Sequence, residues 1–166
     1  MSQEYKGSEE LLARTGNFLE YHLELYLSSG GAQGHIMHYG HVGIDGYLPA
    51  LLLETLGRKS GKRYVTPLIY GCYGGEWIVV GSKGGAPDHP AWFLNLAEQR
   101  ETAIQVGTEA FRSEWRVVEG SERDAIWAYM VGMFPNYADY QTAVTRAIPI
   151  VVIKPIEARP ILERPN

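Results

Sequence analysis

The chain of 166 residues has the length of one domain, since domains typically contain roughly 100 to 200 residues. Hydrophobic residues make up 45% of the chain and charged residues 20%, which excludes a disordered protein and a disulfide-framed scaffold. The formal net charge of −4 has the wrong sign for a protein whose main partner is nucleic acid, so any anion-binding site must be local.

The single cysteine and the N-terminal residues predict the compartment. Cys72 has no second cysteine with which to form an intrachain disulfide, and this favours a reducing environment. Residues 1–6 are polar and acidic and lack the basic, then apolar order of a signal peptide. No apolar run approaches the ~20 residues of a membrane span. We expect a cytoplasmic protein.

Residues 8–28 predict an N-terminal amphipathic helix, because their apolar residues recur at intervals of three and four before the Gly30-Gly31 stop. The apolar stripe would pack on the core or on a second copy of the chain, and peripheral contact with a membrane is the alternative. From Gly30 to Tyr47 the sequence is rich in glycine and has no period, which predicts a long loop that lines a site.

The remaining elements are mostly strands. Apolar and β-branched runs bounded by turn residues predict strands at residues 49–56, 64–70, 77–81, 102–106, 110–118 and 148–153. Helices are predicted at residues 88–97, with Asp88 as the cap, at residues 121–133, and from Asn136 onward. This order is not the alternation of a doubly wound sheet. It predicts an α+β, mainly β protein: a six-stranded, mostly antiparallel barrel with helices packed outside.

Two glycine-containing turns predict an anion site. Residues 57–63, Gly-Arg-Lys-Ser-Gly-Lys-Arg, contain four of the fifteen basic residues, and backbone amides there can converge on an anion. Residues 81–87 follow a strand and lead into a helix, with Ser82, Lys83, Gly84 and Gly85 at their centre. Two such cradles indicate a ligand with a phosphate group or several carboxylates. The alternatives are a solvated basic turn and a flexible connector.

Aromatic and histidine residues provide further candidates. Tyr137 and Tyr140 share one helix face and could form a pocket wall that donates hydrogen bonds, although aromatic residues at this spacing are usually core. His35, His38 and His41 are spaced three apart and could surround a metal only on a rigid helix, which the neighbouring glycines oppose. We therefore predict no metal site and leave the role of these histidines open.

Three segments in order resemble the deazaflavin-dependent nitroreductase family. They are Gly57 to Gly61, Ser82 to Trp92 and Pro135 to Val151, and the resemblance covers residues 48–155, roughly two thirds of the chain. It implies a single domain, residues 1–166, whose core over residues 48–155 is a split β-barrel related to the flavin-binding split barrels. Members of the family pass a hydride from reduced coenzyme F-420 to quinones, nitro compounds or activated alkenes.

The resemblance also implies functional residues. The implied cofactor-binding residues are Arg58, Lys59, Ser60, Arg63, Pro67, Tyr70, Ser82, Lys83, Gly84, Gly85, Pro90, Ala91 and Trp92. Tyr140 first and Tyr137 second are the implied groups that polarise or protonate a small apolar acceptor. The protein would supply orientation and a hydrophobic pocket while the coenzyme supplies the hydride.

Departures from the family pattern keep alternatives open. Arg63 stands one place earlier than expected, Phe134 replaces a tyrosine, and the segment from Gly30 to Tyr47 is longer than expected. The alternatives are an FMN-dependent oxidoreductase on the same barrel and a non-enzymatic barrel that binds a lipid or aromatic ligand. We expect no nucleic-acid partner, and by resemblance a homodimer.

Overall fold

The computed structural model describes residues 17–40 and 43–166, which form eight β-strands and four α-helices. The strands are β1 (Ile36–His38), β2 (Tyr47–Leu56), β3 (Arg63–Ile69), β4 (Gly71–Tyr73), β5 (Glu76–Val80), β6 (Glu101–Val106), β7 (Glu109–Val117) and β8 (Ile150–Arg159). The helices are α1 (Phe18–Ser28), α2 (Ala91–Leu96), α3 (Gly120–Met133) and α4 (Asn136–Thr142).

All strands belong to one curled sheet with antiparallel neighbours. The order is β1-β2-β6-β7-β8-β5-β4, and β3 pairs with the other edge of β2. Tyr70 alone separates β3 from β4, so following the strand pairs from β2 around the sheet leads back to β2. The predicted α+β class with an antiparallel sheet is confirmed.

The structure has eight strands where the sequence predicted six. The two additional strands are β1, which lies within the predicted loop, and β4, which directly follows Tyr70. Each contains three residues, too few for an alternating pattern to be recognised. β1 forms because its residues pair with the start of β2, from Ile36 opposite Pro49 to His38 opposite Tyr47.

Strand β2 is buried on both faces. Ala50, Leu51, Leu52 and Leu53 are each fully buried, because successive side chains point to opposite sides and both sides are covered. Leu51 and Leu53 belong to the cluster inside the curled sheet, together with residues of α2. Leu52 packs on the other side with Tyr26 of α1. This doubly buried strand leads directly into the turn at residue 57.

Helices α3 and α4 cover the outer face of the sheet. Ile78, Val80 and Val152 point outward and pack with Met130 of α3 and Tyr137 of α4. Burial of apolar surface stabilises this packing by about 25 cal/mol for each Å² that is removed from water. The connection from α4 to β8 therefore starts from a fixed helix and ends in a fixed strand.

The predicted helix boundaries needed two corrections. Helix α1 begins at Phe18, where the Asn17 side chain accepts a hydrogen bond from the Glu20 amide at 2.7 Å; predicted residues 8–16 lie outside the described part. Helix α2 begins at Ala91, with Pro90 rather than Asp88 at the N-cap, and ends after six residues. None of the described helices is long and apolar enough to span a membrane.

The last strand is longer than predicted. The sequence predicts it at residues 148–153, before Pro155, but β8 runs from Ile150 to Arg159. Proline cannot donate a ladder hydrogen bond, and the register between β7 and β8 shifts between Arg112 and Ser113, where Pro155 pairs. The irregularity accommodates the proline without ending the strand.

The Tyr26 hydroxyl provides a test of this packing. It accepts a hydrogen bond from the Gly107 amide at 2.8 Å and lies 3.0 Å from the Ala50 carbonyl oxygen, in a fully buried position. Tyr26→Phe leaves these backbone groups without their partner, so the free energy of unfolding should fall by about 1–3 kcal/mol in urea denaturation. The control is Tyr47→Phe, because Tyr47 is 68% exposed. Equal effects of the two substitutions would contradict the assigned role.

Candidate functional site

A cleft of about 290 Å³ lies between the β2–β3 turn and helix α2. We call residues 57–62 the basic turn and this cavity the first basic cleft. It is lined by Thr55, Gly57, Arg58, Lys59, Ser60, Tyr64, Thr66, Ala91, Trp92 and Asn95. The cleft thus has exposed cations on one side and the indole of Trp92 on the other.

The basic turn is held in shape by its own backbone. The Gly57 amide donates to the Lys62 carbonyl at 2.7 Å, and the Gly61 amide donates to the Gly57 carbonyl at 2.8 Å. Gly61 has a φ of +71°, which favours glycine. Ser60 accepts a hydrogen bond from the Lys62 amide at 3.2 Å, so its hydroxyl supports the turn.

Asn95 of α2 positions Arg58. Its side-chain oxygen accepts hydrogen bonds from the Arg58 amide at 3.1 Å and from the Arg58 guanidinium at 2.9 Å. Asn95 is only 4% exposed. The sequence analysis missed this residue, although a polar side chain three residues after Trp92, on the core-facing side of a short helix, was a usable signal.

A second basic cleft of about 560 Å³ adjoins the first. It is lined by Arg58, Lys83, Pro87, Asp88, His89, Ala91, Leu94 and Arg146. The two clefts share Arg58 and Ala91. Together their linings contain four cationic residues, Arg58, Lys59, Lys83 and Arg146, and one carboxylate, Asp88. In a chain with net charge −4, this is a local positive site.

Several arginines outside the clefts are paired with carboxylates, whereas the arginines of the clefts are not paired with any carboxylate that the structure describes. In the described part of the chain, Arg63, Arg112, Arg116, Arg159 and Arg164 all pair with glutamates. Arg58 and Arg146 are held instead by neutral groups, which leave their charge uncompensated. A carboxylate partner would reduce the attraction of the arginine for an anionic ligand. A neutral partner fixes the side chain and preserves that attraction.

Residues 82–86, which we call the glycine turn, place Lys83 in the lining of the second basic cleft. Lys83, Gly84 and Gly85 have φ values of +48°, +61° and +81°. For lysine this conformation costs about 1 kcal/mol, so the surrounding contacts must impose it. A Cβ atom on Gly85 would lie 3.2 Å from the Cα of Tyr140, so the turn approaches α4 closely.

The Arg146 guanidinium holds the glycine turn. Its Nε donates to the Ala86 carbonyl, one terminal nitrogen to the Gly81 carbonyl and to His89 Nδ1, and the other to the Ser82 and Ala86 carbonyls, all at 3.0–3.2 Å. These contacts occupy all five N–H donors of the guanidinium. Arg146 therefore contributes charge and position to the cleft, while ligand hydrogen bonds must come from other groups.

Gln141 of α4 fixes the segment that carries Arg146. Its side-chain nitrogen donates to the Arg146 carbonyl at 2.8 Å, and its side-chain oxygen accepts from the Ile148 amide at 3.0 Å. The sequence analysis assigned no role to Gln141 or to the Arg146 side chain. Both lie in a segment that it quoted, but their contacts depend on chain folding.

The structure brings most of the candidate cofactor residues together. Arg58, Lys59, Ser60, Ala91 and Trp92 line the first basic cleft, and Lys83 lines the second. Ser82, Gly84 and Gly85 belong to the glycine turn, and buried Pro90 is the N-cap of α2. These residues come from three separate segments of the chain.

Arg63 and Pro67 lie on the other face of β3 and not in the clefts. Tyr64 and Thr66 alternate with them and line the first basic cleft, as the strand period requires. The Arg63 guanidinium donates to the Glu54 carboxylate, so its charge is already compensated. Arg63 therefore lies on the face of β3 opposite Tyr64 and Thr66, away from the first basic cleft.

Tyr70 also lies apart from the two basic clefts. Its hydroxyl is 2.7 Å from Nε2 of His35, and the two rings stack with centroids 5.9 Å apart. Burial raises the pKa of Tyr70 and lowers the pKa of His35. Tyr70 packs in the same interior cluster as Trp92, so it supports the wall of the first basic cleft from behind.

The two candidate tyrosines occupy different environments. Tyr137 is buried among aromatic rings, 4.9 Å from Phe134 between centroids, and burial raises its pKa. Tyr140 is half-buried and packs beside Gly85 of the glycine turn. Neither residue lines the two basic clefts, but Tyr140 lies beside Gly85 of the same turn whose Lys83 lines the second cleft.

The described histidines have local partners. His35 contacts Tyr70, and His38 Nδ1 accepts a hydrogen bond from the Gly40 amide at 3.1 Å. His41 lies outside the described residues. Within residues 17–40 and 43–166 no group of three or more His, Cys, Asp or Glu residues could hold a metal ion.

Comparisons with known proteins identify the family of this chain. A family model described as F-420H(2)-dependent quinone reductase matches residues 22–155. The chain is 33% identical to an F-420H(2)-dependent quinone reductase of Mycobacterium tuberculosis over 138 residues, 81% of this chain and 88% of that protein. A solved F-420-H(2) dependent reductase, FDR-A, matches with a TM-score of 0.59 at 36% identity over 64% of this chain and 94% of that one. A solved structure described as a domain-swapped dimer matches with a TM-score of 0.61 at 32% identity over 81% of this chain and 96% of that one.

The fold is a curled antiparallel β-sheet, and the two clefts form a local positive site on it. The chain belongs to the F-420H(2)-dependent quinone reductase family. It is an oxidoreductase, and its cofactor is coenzyme F-420. The family match gives no support to the FMN alternative.

The donor set fits this coenzyme. Its phosphate and acidic tail require cations and hydrogen-bond donors, and the two clefts provide four cationic residues against one carboxylate. Its ring system requires an apolar surface, which Ala91 and Trp92 provide beside the basic turn.

Arg146→Lys tests the role of the guanidinium. Lysine keeps the charge but has three donors in place of five, so some carbonyls of the glycine turn lose their partners. The free energy of unfolding should fall by about 1–3 kcal/mol in urea denaturation. Arg100→Lys is the matched control, since Arg100 is exposed. A stability loss no larger than that of the control would show that the charge alone matters.

Proposed function

We propose that the protein transfers a hydride from reduced coenzyme F-420 to a quinone, with the coenzyme's anionic tail bound in the two basic clefts. The observation that carries the placement is the convergence of Arg58, Lys59, Lys83 and Arg146, none of them paired with a carboxylate in the described residues. The remaining cofactor residues keep supporting roles in this proposal.

The cations would divide the work of binding. Arg58 is already oriented by Asn95, so little side-chain freedom is lost when a ligand binds. Lys59 and Lys83 are exposed and add attraction that salt can screen. The glycine turn contributes the Lys83 side chain to the second basic cleft, while its Gly85 and Ala86 amides donate to the Ser82 and Lys83 carbonyls and hold the turn in shape.

The ring system would lie against the apolar side of the first basic cleft. Ala91 and Trp92 form this wall, and Trp92 is fixed by its packing with Leu96 and Tyr70 in the interior cluster. When bound, the coenzyme supplies the hydride. The chain's own contribution is to hold the reacting groups within contact distance and to exclude water, which is worth several kcal/mol of the barrier.

We place the acceptor on the side of α4. Tyr140 is the proposed donor of a hydrogen bond or proton to the quinone oxygen, since it is half-buried and packs against Gly85 at the border of the second basic cleft. Tyr137 would act as packing that holds Tyr140, because it is buried. Nitro compounds and activated alkenes are further acceptors to assay, since apolar pockets discriminate similar groups by only about 1–3 kcal/mol.

We also propose that the sheet is a split β-barrel and that the protein forms homodimers. Counting β3 and β4 as one interrupted strand, and β1 as an addition to β2, gives a ring of six strands. The relative described as a domain-swapped dimer supports the homodimer. Light scattering of the purified chain tests the oligomeric state directly.

Substitutions in the basic turn and the glycine turn test the cofactor site. Lys59→Ala and Lys83→Ala should each raise the Kd of F-420 about fivefold in a fluorescence titration, because each removes one charge from a cleft. The effect should shrink as salt is added. Lys62→Ala is the matched control, since Lys62 belongs to the same turn but does not line the first basic cleft.

Equal Kd values for Lys59→Ala and Lys62→Ala would mean that only the general charge of the turn matters. A parallel titration with FMN should show weaker binding than F-420 in every variant. Tighter binding of FMN than of F-420 would contradict the placement.

Tyr140→Phe tests the acceptor side. Loss of one hydrogen bond to an oxygen that gains negative charge should lower kcat for quinone reduction roughly 10- to 100-fold. The Kd of F-420 should stay unchanged, because Tyr140 does not line the basic clefts. Tyr137→Phe is the control, and its kcat should change less than threefold. A larger effect of Tyr137→Phe than of Tyr140→Phe would reverse the assignment.

A further inference from the structure

We propose that His89 is a ligand-binding residue, whose neutral ring donates an Nε2–H hydrogen bond to the anionic tail of the coenzyme in the second basic cleft. The sequence analysis gave His89 no role in binding. The inference rests on the proposed function, since it requires the tail to occupy this cleft. The tautomer of the ring, its orientation and the groups that surround it each support this role.

Arg146 determines the tautomer of His89. A terminal nitrogen of Arg146 lies 3.0 Å from His89 Nδ1. A guanidinium can only donate hydrogen bonds, so Nδ1 must be the acceptor and must carry no proton. In the neutral ring the proton is therefore on Nε2. The contact with Arg146 therefore makes Nε2 the hydrogen-bond donor of the neutral ring.

The orientation of the ring is fixed from a second side. The ring of Phe93 lies with its centroid 5.0 Å from that of His89, at an interplanar angle of 56°. His89 also directly precedes Pro90, the buried N-cap of α2. Nε2 has no hydrogen-bond partner among residues 17–40 and 43–166, while the residue lines the second basic cleft. The Nε2–H group is therefore held in a fixed orientation and has no partner among the described residues.

The charged neighbours of His89 favour the neutral ring. Arg146 contacts it directly, and Lys83 and Arg58 line the same cleft; Asp88 is the one carboxylate there. Burial and the charge of Arg146 lower the pKa of His89, while Asp88 opposes the shift. At neutral pH the ring is accordingly neutral. A proton on Nδ1 would bring two N–H donors face to face, and a doubly protonated ring would also place two cationic groups in contact. A neutral ring with its proton on Nε2 can bind an anion without disturbing Arg146.

The tautomer can be measured without ligand. A long-range proton–nitrogen NMR spectrum of the histidine-labelled protein at neutral pH should show His89 with its proton on Nε2, assigned by the signals that disappear in His89→Asn. Arg146→Gln should raise the pKa of His89, because the neighbouring positive charge is removed and Asp88 remains. An Nδ1–H tautomer, or a cationic ring at neutral pH, would overturn the inference.

Two substitutions of His89 test binding, because their side chains extend to different ring nitrogens. The side chain of asparagine reaches the position of Nδ1 and can still accept from Arg146, but it does not reach Nε2. Glutamine reaches about as far as Nε2 and can donate there. His89→Asn should raise the Kd of F-420 about tenfold in a fluorescence titration, since it loses a hydrogen bond to a charged acceptor. His89→Gln should recover part of that loss.

Comparison with Lys83→Ala separates the two hypotheses. If Lys83→Ala weakens F-420 binding and His89→Asn does not, the inference about His89 is wrong and the proposed site stands. If neither substitution changes the Kd, the tail does not bind in this cleft and the proposed placement fails as well. An unchanged Kd of F-420 with a raised KM for the quinone in His89→Asn would assign the residue to the acceptor instead. A free energy of unfolding within error of wild type for His89→Asn excludes a merely structural explanation.

Discussion

The rest of the site depends on the hydrogen bonds that the Arg146 guanidinium donates. The guanidinium donates to three backbone carbonyls of residues 81–86 and to His89, and these contacts use every donor that an arginine has. The left-handed conformation of Lys83 is unfavourable for a free lysine, so it needs an external cause, and the carbonyl contacts on both sides of it supply one. Gln141 in turn holds the segment that carries Arg146. Gln141 of α4 thus positions the Arg146 segment, and Arg146 positions the glycine turn beside the second basic cleft.

The proposed attraction of an anionic cofactor to this net negative chain depends on how its charges are paired. Five described arginines away from the clefts pair with glutamates, as Arg63 does with Glu54. The cations of the clefts have neutral partners or none in the described residues, so orientation is obtained without cancelling charge. This arrangement favours long-range attraction of a multiply charged tail, while the negative remainder of the surface opposes non-specific binding of nucleic acid.

The sequence predicted the parts of the site that are local and missed those that depend on the fold. Lys59 and Lys83 were found because basic residues and glycines cluster within a few positions, a pattern that composition reveals. Asn95 and Arg146 could not be found in this way, since each acts on a segment 37 or more residues away. Strand direction set a second limit: the residue types of β3 were recognised, but only the register places Arg63 and Pro67 opposite the cleft. Strands β1 and β4 were missed because three residues show no period.

Gly85 connects the proposed cofactor side of the molecule to the proposed acceptor side. Its lack of a side chain allows the glycine turn to approach the backbone of Tyr140, where a Cβ atom would lie only 3.2 Å from the Cα of that residue. The same turn carries Lys83 and is held by Arg146, so in the proposed placement this one turn would set the distance between a bound coenzyme and Tyr140. Hydride transfer is sensitive to misplacement of about 1 Å. A turn that touches both binding regions, and is fixed by a guanidinium with no spare donor, is a direct way for so small a protein to meet that requirement.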